Sequence, residues 1–325
     1  MAAFLTLRGD GATVSGAGTL DANGFHGRHL FAENASSLAL STVFFKGSRG
    51  WGVHLRRCTN VTLADVKIFS GADGVDPDAS SDVSVDRAFI HSWDDAVAVK
   101  TTVEGSPAAR VAIRDSTVST RKSALKLGTE SLSDFTNVTF ERTDVFESGR
   151  GLVLYAKDGG TFRNVHYDAI RFLDPVAYAG EPSAPIDFEL EHRSGYSVLE
   201  GLAVTSFFAH WPSPAVVRGN DVVALENVRL ENVSIAAEAP FAGANASFLF
   251  DCKNDDVAAG GVAAEALRVD WGPHRAEWLG LSRRWAAGAE PPPAFSLCPD
   301  PPPRAAAFKK KKAAAVLLRK DGAFL

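Results

Sequence analysis

The sequence predicts an all-β chain wound as a right-handed parallel β-helix, a single-stranded solenoid, and three observations predict it. One short motif recurs as LALSTVFF (38–45), VTLADVKIF (61–69), VSVDRAFIH (83–91), VAIRDSTVS (111–119), VTFERTDVF (138–146), VHYDAIRF (165–172), LAVTSFF (202–208) and VRLENVSI (228–235). The copies start 23, 22, 28, 27, 27, 37 and 26 residues apart, which suits one coil per step. Propeller blades need about 40–50 residues each. Within each copy apolar and polar residues alternate with period 2, bounded by Gly, Asp, Asn and Ser, as strands require. No helix-length amphipathic segment separates the copies, so βαβ units are excluded.

The elements follow in order. GAGTLDANG (16–24) opens the repeat, and between the copies lie further strand-like pieces, WGVHL (51–55), DAVAVK (95–100), SALKL (123–127) and GLVLYA (151–156). Each coil therefore carries two or three strands and buries its apolar side against its neighbours. The step of 37 points to a longer loop over 173–197. The β-helix is expected to occupy residues 1–252. Beyond it, 253–325 is rich in Ala, Pro and Lys with little to pack, which predicts a partly disordered extension. Within that extension 271–285 is expected to form a short helix and the KKKK run (309–312) a solvated tail.

Composition narrows the function. With 46% hydrophobic and 22% charged residues in 325, most of the chain is expected to fold around a large core. A net charge of −5 argues against nucleic acid as a partner, which calls for a basic face. No apolar run reaches the roughly 18 residues of a membrane span. Three cysteines, Cys58, Cys252 and Cys298, make no disulfide framework, although one bridge could exist, and Cys58 reads as a small core residue. The N-terminus lacks the parts of a secretory signal. Five sequons, at Asn34, Asn60, Asn137, Asn232 and Asn245, suit a secreted, extracellular protein, although Asn before a strand also suits a stacked β repeat. A monomer is expected.

FIHSWDDAVAVK (89–100) sets Asp94 and Asp95 side by side at the head of a strand. If Val97 and Val99 point inward, strict alternation turns Asp95 inward too. It reaches an outer groove only if the chain bends first. Asp73, in SGADGVDP, precedes Asp94 by 21 residues and Asp95 by 22, which is one coil. Three stacked carboxylates fit a divalent-cation site, where calcium takes about six to eight oxygens. They also fit acid–base work on a glycosidic bond, where crowding keeps one group protonated. Asp76 and Asp78 read as turn and cap residues.

The stretch 29–100 resembles the core of the family 28 glycoside hydrolases, the polygalacturonase-like enzymes. That family runs through W-x-x-H-L, N-V-x-I, N-T-D-G-[IF]-D and G-D-D-[CA]-[IV]-A-[IV]-K; here WGVHL, NVTL, GADGVD and WDDAVAVK follow in the same order. The resemblance extends over roughly 10–240. It implies inverting hydrolysis of O-glycosidic bonds in a polysaccharide, pectin-like or another cell-wall glycan, without metal or cofactor. It further implies Asp94 as general acid, Asp73 and Asp95 as the pair activating water, and Lys100 as a subsite residue. Inversion leaves about 6.5–9.5 Å between acid and base.

The departures from the family bear on the substrate. Ser123 stands where the family has the His of G-H-G. Val153 and Tyr155 stand for the Arg and Lys of R-I-K, whose cations hold a galacturonate carboxylate, and Lys157 is two residues out of register. A carboxylate needs a paired cation, so the sequence points to a neutral or differently charged sugar, or to exo action. The candidate substrate contacts are Lys100, His54, Lys126, Glu130 and Tyr155. His54 reads equally as a structural residue beside Trp51, and Tyr155 and Trp93 as stacking or packing rings. Two other readings stay open: a non-catalytic glycan-binding β-helix, and a β-helix polysaccharide lyase using calcium-binding acids with a Lys or Arg base.

Overall fold

Leu5, Leu30, Val53, Val75, Val97, Leu125, Leu152 and Ile186 stand in register, one per coil, along the axis of the molecule. The computed structural model describes residues 1–173, 183–209, 215–220, 222–223 and 225–235, and the backbone of Phe241–Ala244, Ala246–Asp251, Phe295–Ser296 and Ala314–Leu318. This apolar ladder belongs to a 10-stranded parallel sheet. Its strands are Ala3–Leu7, Arg28–Glu33, Val53–Arg56, Val75–Asp78, Val97–Thr101, Ser123–Ser131, Arg150–Asp158, Ala184–Gly195, Ala215–Arg218 and Phe241–Ala244. The repeated motif supplies the other two faces. Ser81–Asp86 and Phe89–Ser92, for example, stack separately in early coils, whereas Phe135–Phe146 runs round the corner and pairs with both Ala108–Arg114 and Thr117–Thr120.

Alternation places one side of all three faces in a continuous core. Aromatic residues stack where they fall in register: the rings of Phe135 and Phe162 are 4.3 Å apart, and those of Phe140 and Tyr167 4.8 Å. The turns also stack. Ser37, Asn60, Asp82, Arg110, Asn137 and Asn164 take left-handed backbone with φ between 53° and 57°. Short polar side chains tolerate that region by bonding locally. Here they bond to the next coil, Asn60 Nδ2 donating to Ser37 Oγ at 3.2 Å and Asn164 Nδ2 to Asn137 Oδ1 at 3.0 Å. Asn60 and Asn137 of the sequons therefore serve the turn.

Several expectations change. The loop expected over 173–197 contains Ala184–Gly195, a strand of the main sheet. Its apolar Ile186, Phe188 and Leu190 continue the core, and only 174–182 lie outside the described residues. The expected helix at 271–285, the KKKK tail, Cys252 and Cys298 lie outside them as well. Of the C-terminal region, Phe295–Ser296 and Ala314–Leu318 pair antiparallel with the last coils. Cys58 is a buried free thiol. Among the described residues no helix is long and apolar enough to cross a membrane.

Candidate active site

The outer side of the 10-stranded sheet carries the site. Gly74 N–H donates to the Asp95 carbonyl and Ala96 N–H to the Ser123 carbonyl, and Ser123 pairs with Arg150. Asp73, Asp95, Ser123 and Arg150 thus stack on successive coils. The strand begins at Val97, after bends at Trp93, Asp94 and Ala96. Those bends break the alternation, so Val97 and Val99 enter the core while Asp95 stays on the outer side against Asp73.

The closest carboxylate oxygens of Asp73, Asp94 and Asp95 lie within 4.8 Å of one another. That is shorter than the separation expected for inversion. The scaffold holds the trio close: neighbouring parallel strands are about 4.8 Å apart, Asp73 faces Asp95 across one such gap, and Asp94 is the chain neighbour of Asp95.

Charge pairing divides the trio. Lys100 Nζ donates to Asp73 Oδ2 at 2.6 Å, and Lys126 Nζ to Asp95 Oδ2 at 2.6 Å. The other oxygens accept backbone N–H groups, from Asp95 onto Asp73 Oδ1 (3.3 Å) and from Ser123 onto Asp95 Oδ1 (3.2 Å). Asp73 and Asp95 are buried. Asp94 is 39% exposed at its side chain, and Lys122 Nζ lies 3.5 Å from its Oδ1. Burial, then the charges of Asp95 and Asp73, push the Asp94 carboxyl above its ordinary pKa. Burial pushes Asp95 the same way, but Lys126, Lys100 and a hydrogen bond from Ser123 outweigh it and hold the carboxyl below its ordinary value. One member is thus poised to keep a proton and one to lose it.

Asp76 and Asp78 are not turn residues. Both lie in the Val75–Asp78 strand and are fully buried. Lys100 Nζ sits 2.9 Å from Asp76 Oδ1 and 4.3 Å from the Trp51 ring centre. Burial, together with Asp73 beside it, pushes the Asp76 carboxyl well up despite Lys100. Asp78 accepts from Thr102 and lies 3.1 Å from His54 Nε2.

The remaining candidates fall in different places. His54 is buried, with Nδ1 taken by Arg28 Nε at 2.7 Å and Nε2 by Asp78, so it supports the wall beside Trp51 and offers no polar atom to a ligand. Lys100 likewise is buried beneath the trio. Lys126 and Tyr155 line the groove one and two coils beyond Asp95, with Lys126 Nζ 5.5 Å from the Tyr155 ring centre. The Tyr155 hydroxyl donates to Asp187. Glu130 is partly exposed and lies 3.8 Å from Arg193. Trp93 is exposed, with the Arg121 guanidinium 3.7 Å above its ring. The sequence reading missed Arg150 and the partnership of Lys126 with Asp95; the available signal was Arg150 standing 27 residues after Ser123, one coil on.

The three carboxylates could also gather a cation. Lys100 and Lys126 already place ammonium groups at 2.6 Å on two of them, and a divalent ion there would meet both positive charges.

Residues 6–179, which include every member of this site up to Tyr155, match the model of the glycosyl hydrolases family 28. The chain belongs to this family. The family 28 chain is 25% identical over 166 residues to a probable polygalacturonase of Vitis vinifera, covering 45% of this chain and 34% of that protein. It therefore spans about a third of that curated relative's length. Two solved structures share the fold. The polygalacturonase from Erwinia carotovora ssp. carotovora has a TM-score of 0.62 at 17% identity, covering 78% of this chain and 73% of its own. The exopolygalacturonase from Thermotoga maritima has a TM-score of 0.57 at 17% identity, covering 69% and 55%. This likeness identifies the architecture as the right-handed parallel β-helix.

Proposed function

We propose that this family 28 chain hydrolyses O-glycosidic bonds of a polysaccharide, pectin-like or another cell-wall glycan, with inversion at the anomeric carbon. Asp94 gives its proton to the leaving oxygen as the bond breaks. A water held by Asp73 and Asp95 attacks from the opposite side of the ring, and one of these two carboxylates takes its proton. The observation that carries this reading is the unequal pairing of the trio. Asp73 and Asp95 each hold an ammonium at 2.6 Å, while Asp94, exposed to the groove, has Lys122 at 3.5 Å.

The spacing of the closest oxygens, within 4.8 Å, is nearer the roughly 5–5.5 Å of retaining sites. What favours inversion is that both oxygens of Asp73 and of Asp95 already accept hydrogen bonds. That blunts a carboxylate as a nucleophile, yet still lets it orient and deprotonate water. Proton NMR of the first product anomer decides: an inverted anomer is expected, and a retained one overturns the mechanism. The activity itself is tested on a panel of pectic and neutral glycans. Release of reducing ends by the native chain and its loss in Asp94→Asn are expected. Binding without turnover in the native chain would make it a glycan-binding β-helix, and calcium-dependent unsaturated products a lyase.

A further inference from the structure

Arg150 is only 6% exposed, and among the described residues no carboxylate pairs with it. Its Nε donates to the Ser123 hydroxyl at 3.2 Å, and its guanidinium carbon lies 5.6 Å from the Tyr155 ring centre. Among the described residues its two terminal nitrogens, with their four N–H donors, meet no hydrogen-bond acceptor. The other buried cations of the site are treated differently, since Lys100 and Lys126 each hold a carboxylate at 2.6 Å. A buried cation left without a counter-ion is costly, and a fold retains one where something else supplies the charge.

The pairing pattern points the same way. Lys100 and Lys126 are matched to the Asp73 and Asp95 carboxylates at 2.6 Å, whereas Arg150 has a hydroxyl and an aromatic ring for neighbours. Arg150 shares its register with Ser123 and so stands two coils from Asp95. Tyr155 offers its ring to the guanidinium, while the Tyr155 hydroxyl is turned to Asp187.

We propose that Arg150 receives an anionic substituent borne by the sugar ring, a carboxylate or a sulfate, in the subsite beside Ser123. A guanidinium meets either group with two parallel N–H donors. The cation missing at Val153 and Tyr155 is thus supplied from three residues upstream, at the head of the same strand, where a long side chain reaches across the face. This inference rests on the hydrolase reading for its substrate but can fail separately from it.

The test measures binding to the Asp94→Asn protein, so that turnover plays no part. Three oligosaccharides of one length are titrated calorimetrically: a uronate oligomer, its methyl ester, and a sulfated neutral oligomer. At least one charged oligomer is expected to bind tenfold or more tightly than the ester, and which one does so separates carboxylate from sulfate. Adding Arg150→Met should abolish that preference, whereas Arg150→Lys should keep part of it. Equal binding of all three, absence of binding by both charged oligomers, or a preference that survives Arg150→Met overturns the proposal. If Arg150→Met loses its circular-dichroism signature, Arg150→Gln takes its place, with the same outcomes. A native chain that turns over no glycan but shows this charge preference would sink the hydrolase reading alone.

Discussion

The Lys126 ammonium lies 2.6 Å from the Asp95 carboxylate although 31 residues separate them. Its charge is the largest influence holding Asp95 ionised against burial. Lys126→Met removes that influence, so the Asp95 pKa rises toward that of Asp94. Because the base must be unprotonated, the acidic limb of the kcat/KM–pH profile should move to higher pH. The rate at the optimum should fall by roughly 10²-fold, the lower end of what a positioned base contributes. An unmoved acidic limb would remove Asp95 from the base role.

Asp94→Asn should lower kcat by about 10²–10⁴-fold with oligosaccharide binding retained. The raised Asp94 pKa has a sign consequence: activity needs the protonated form and disappears as pH rises through that pKa. With a substrate whose leaving group needs no proton, such as an aryl glycoside, Asp94→Asn should recover most of its rate and lose the alkaline limb. Failure of that rescue would count against Asp94 as the acid.

Asp73 and Asp76 share the single ammonium of Lys100 in a buried space. One ammonium balances one carboxylate, and the pKa of Asp76 is raised from 3.8 by its burial and by Asp73. The folded state therefore binds a proton that the unfolded chain releases, and stability should fall as pH rises above about 4. Asp76→Asn mimics the protonated form and should flatten that slope in thermal melts between pH 4 and 7 while keeping activity. A slope unchanged by Asp76→Asn would mean the proton resides elsewhere.

Lys100→Met leaves both carboxylates buried without a cation. Breaking a buried pair in this way costs about 3–5 kcal/mol. Urea unfolding should show a loss of that size, and Lys100→Met with Asp76→Asn should recover part of it. Additive losses in the double variant would argue that the two groups are independent.

Leu125 stands in the apolar ladder between Val97 and Leu152, directly behind the site. Leu125→Ala should cost about 2–5 kcal/mol in urea unfolding, through lost burial and the cavity left behind. Its effect on kcat should be larger than that of an equally buried substitution remote from the site, because Ser123 and Lys126 share its strand.

The sequence by itself determined the coil and its faces. Periodicity of 2 within segments and a step near one coil between them left a stacked parallel solenoid as the solution, and the DD pair with Asp73 one coil earlier marked the site. Those signals are local, or repeat at a near-constant interval, which is why a linear reading finds them. The partners of the trio obey neither condition. Lys100 meets Asp73 at a separation of 27, Lys126 meets Asp95 at 31, and Arg150 meets Ser123 at 27. Each separation combines coil length with the column in which a side chain emerges, and bends before the strand, such as those at 93–96, reset which residues face outward. Asp76 read as a turn residue because Asp before Pro is common in turns, yet strand pairing carries it into a fully buried position beside Lys100. Only the tertiary structure decided which carboxylates are neutralised, because Coulomb energy depends on distance through space and sequence separation does not fix that distance.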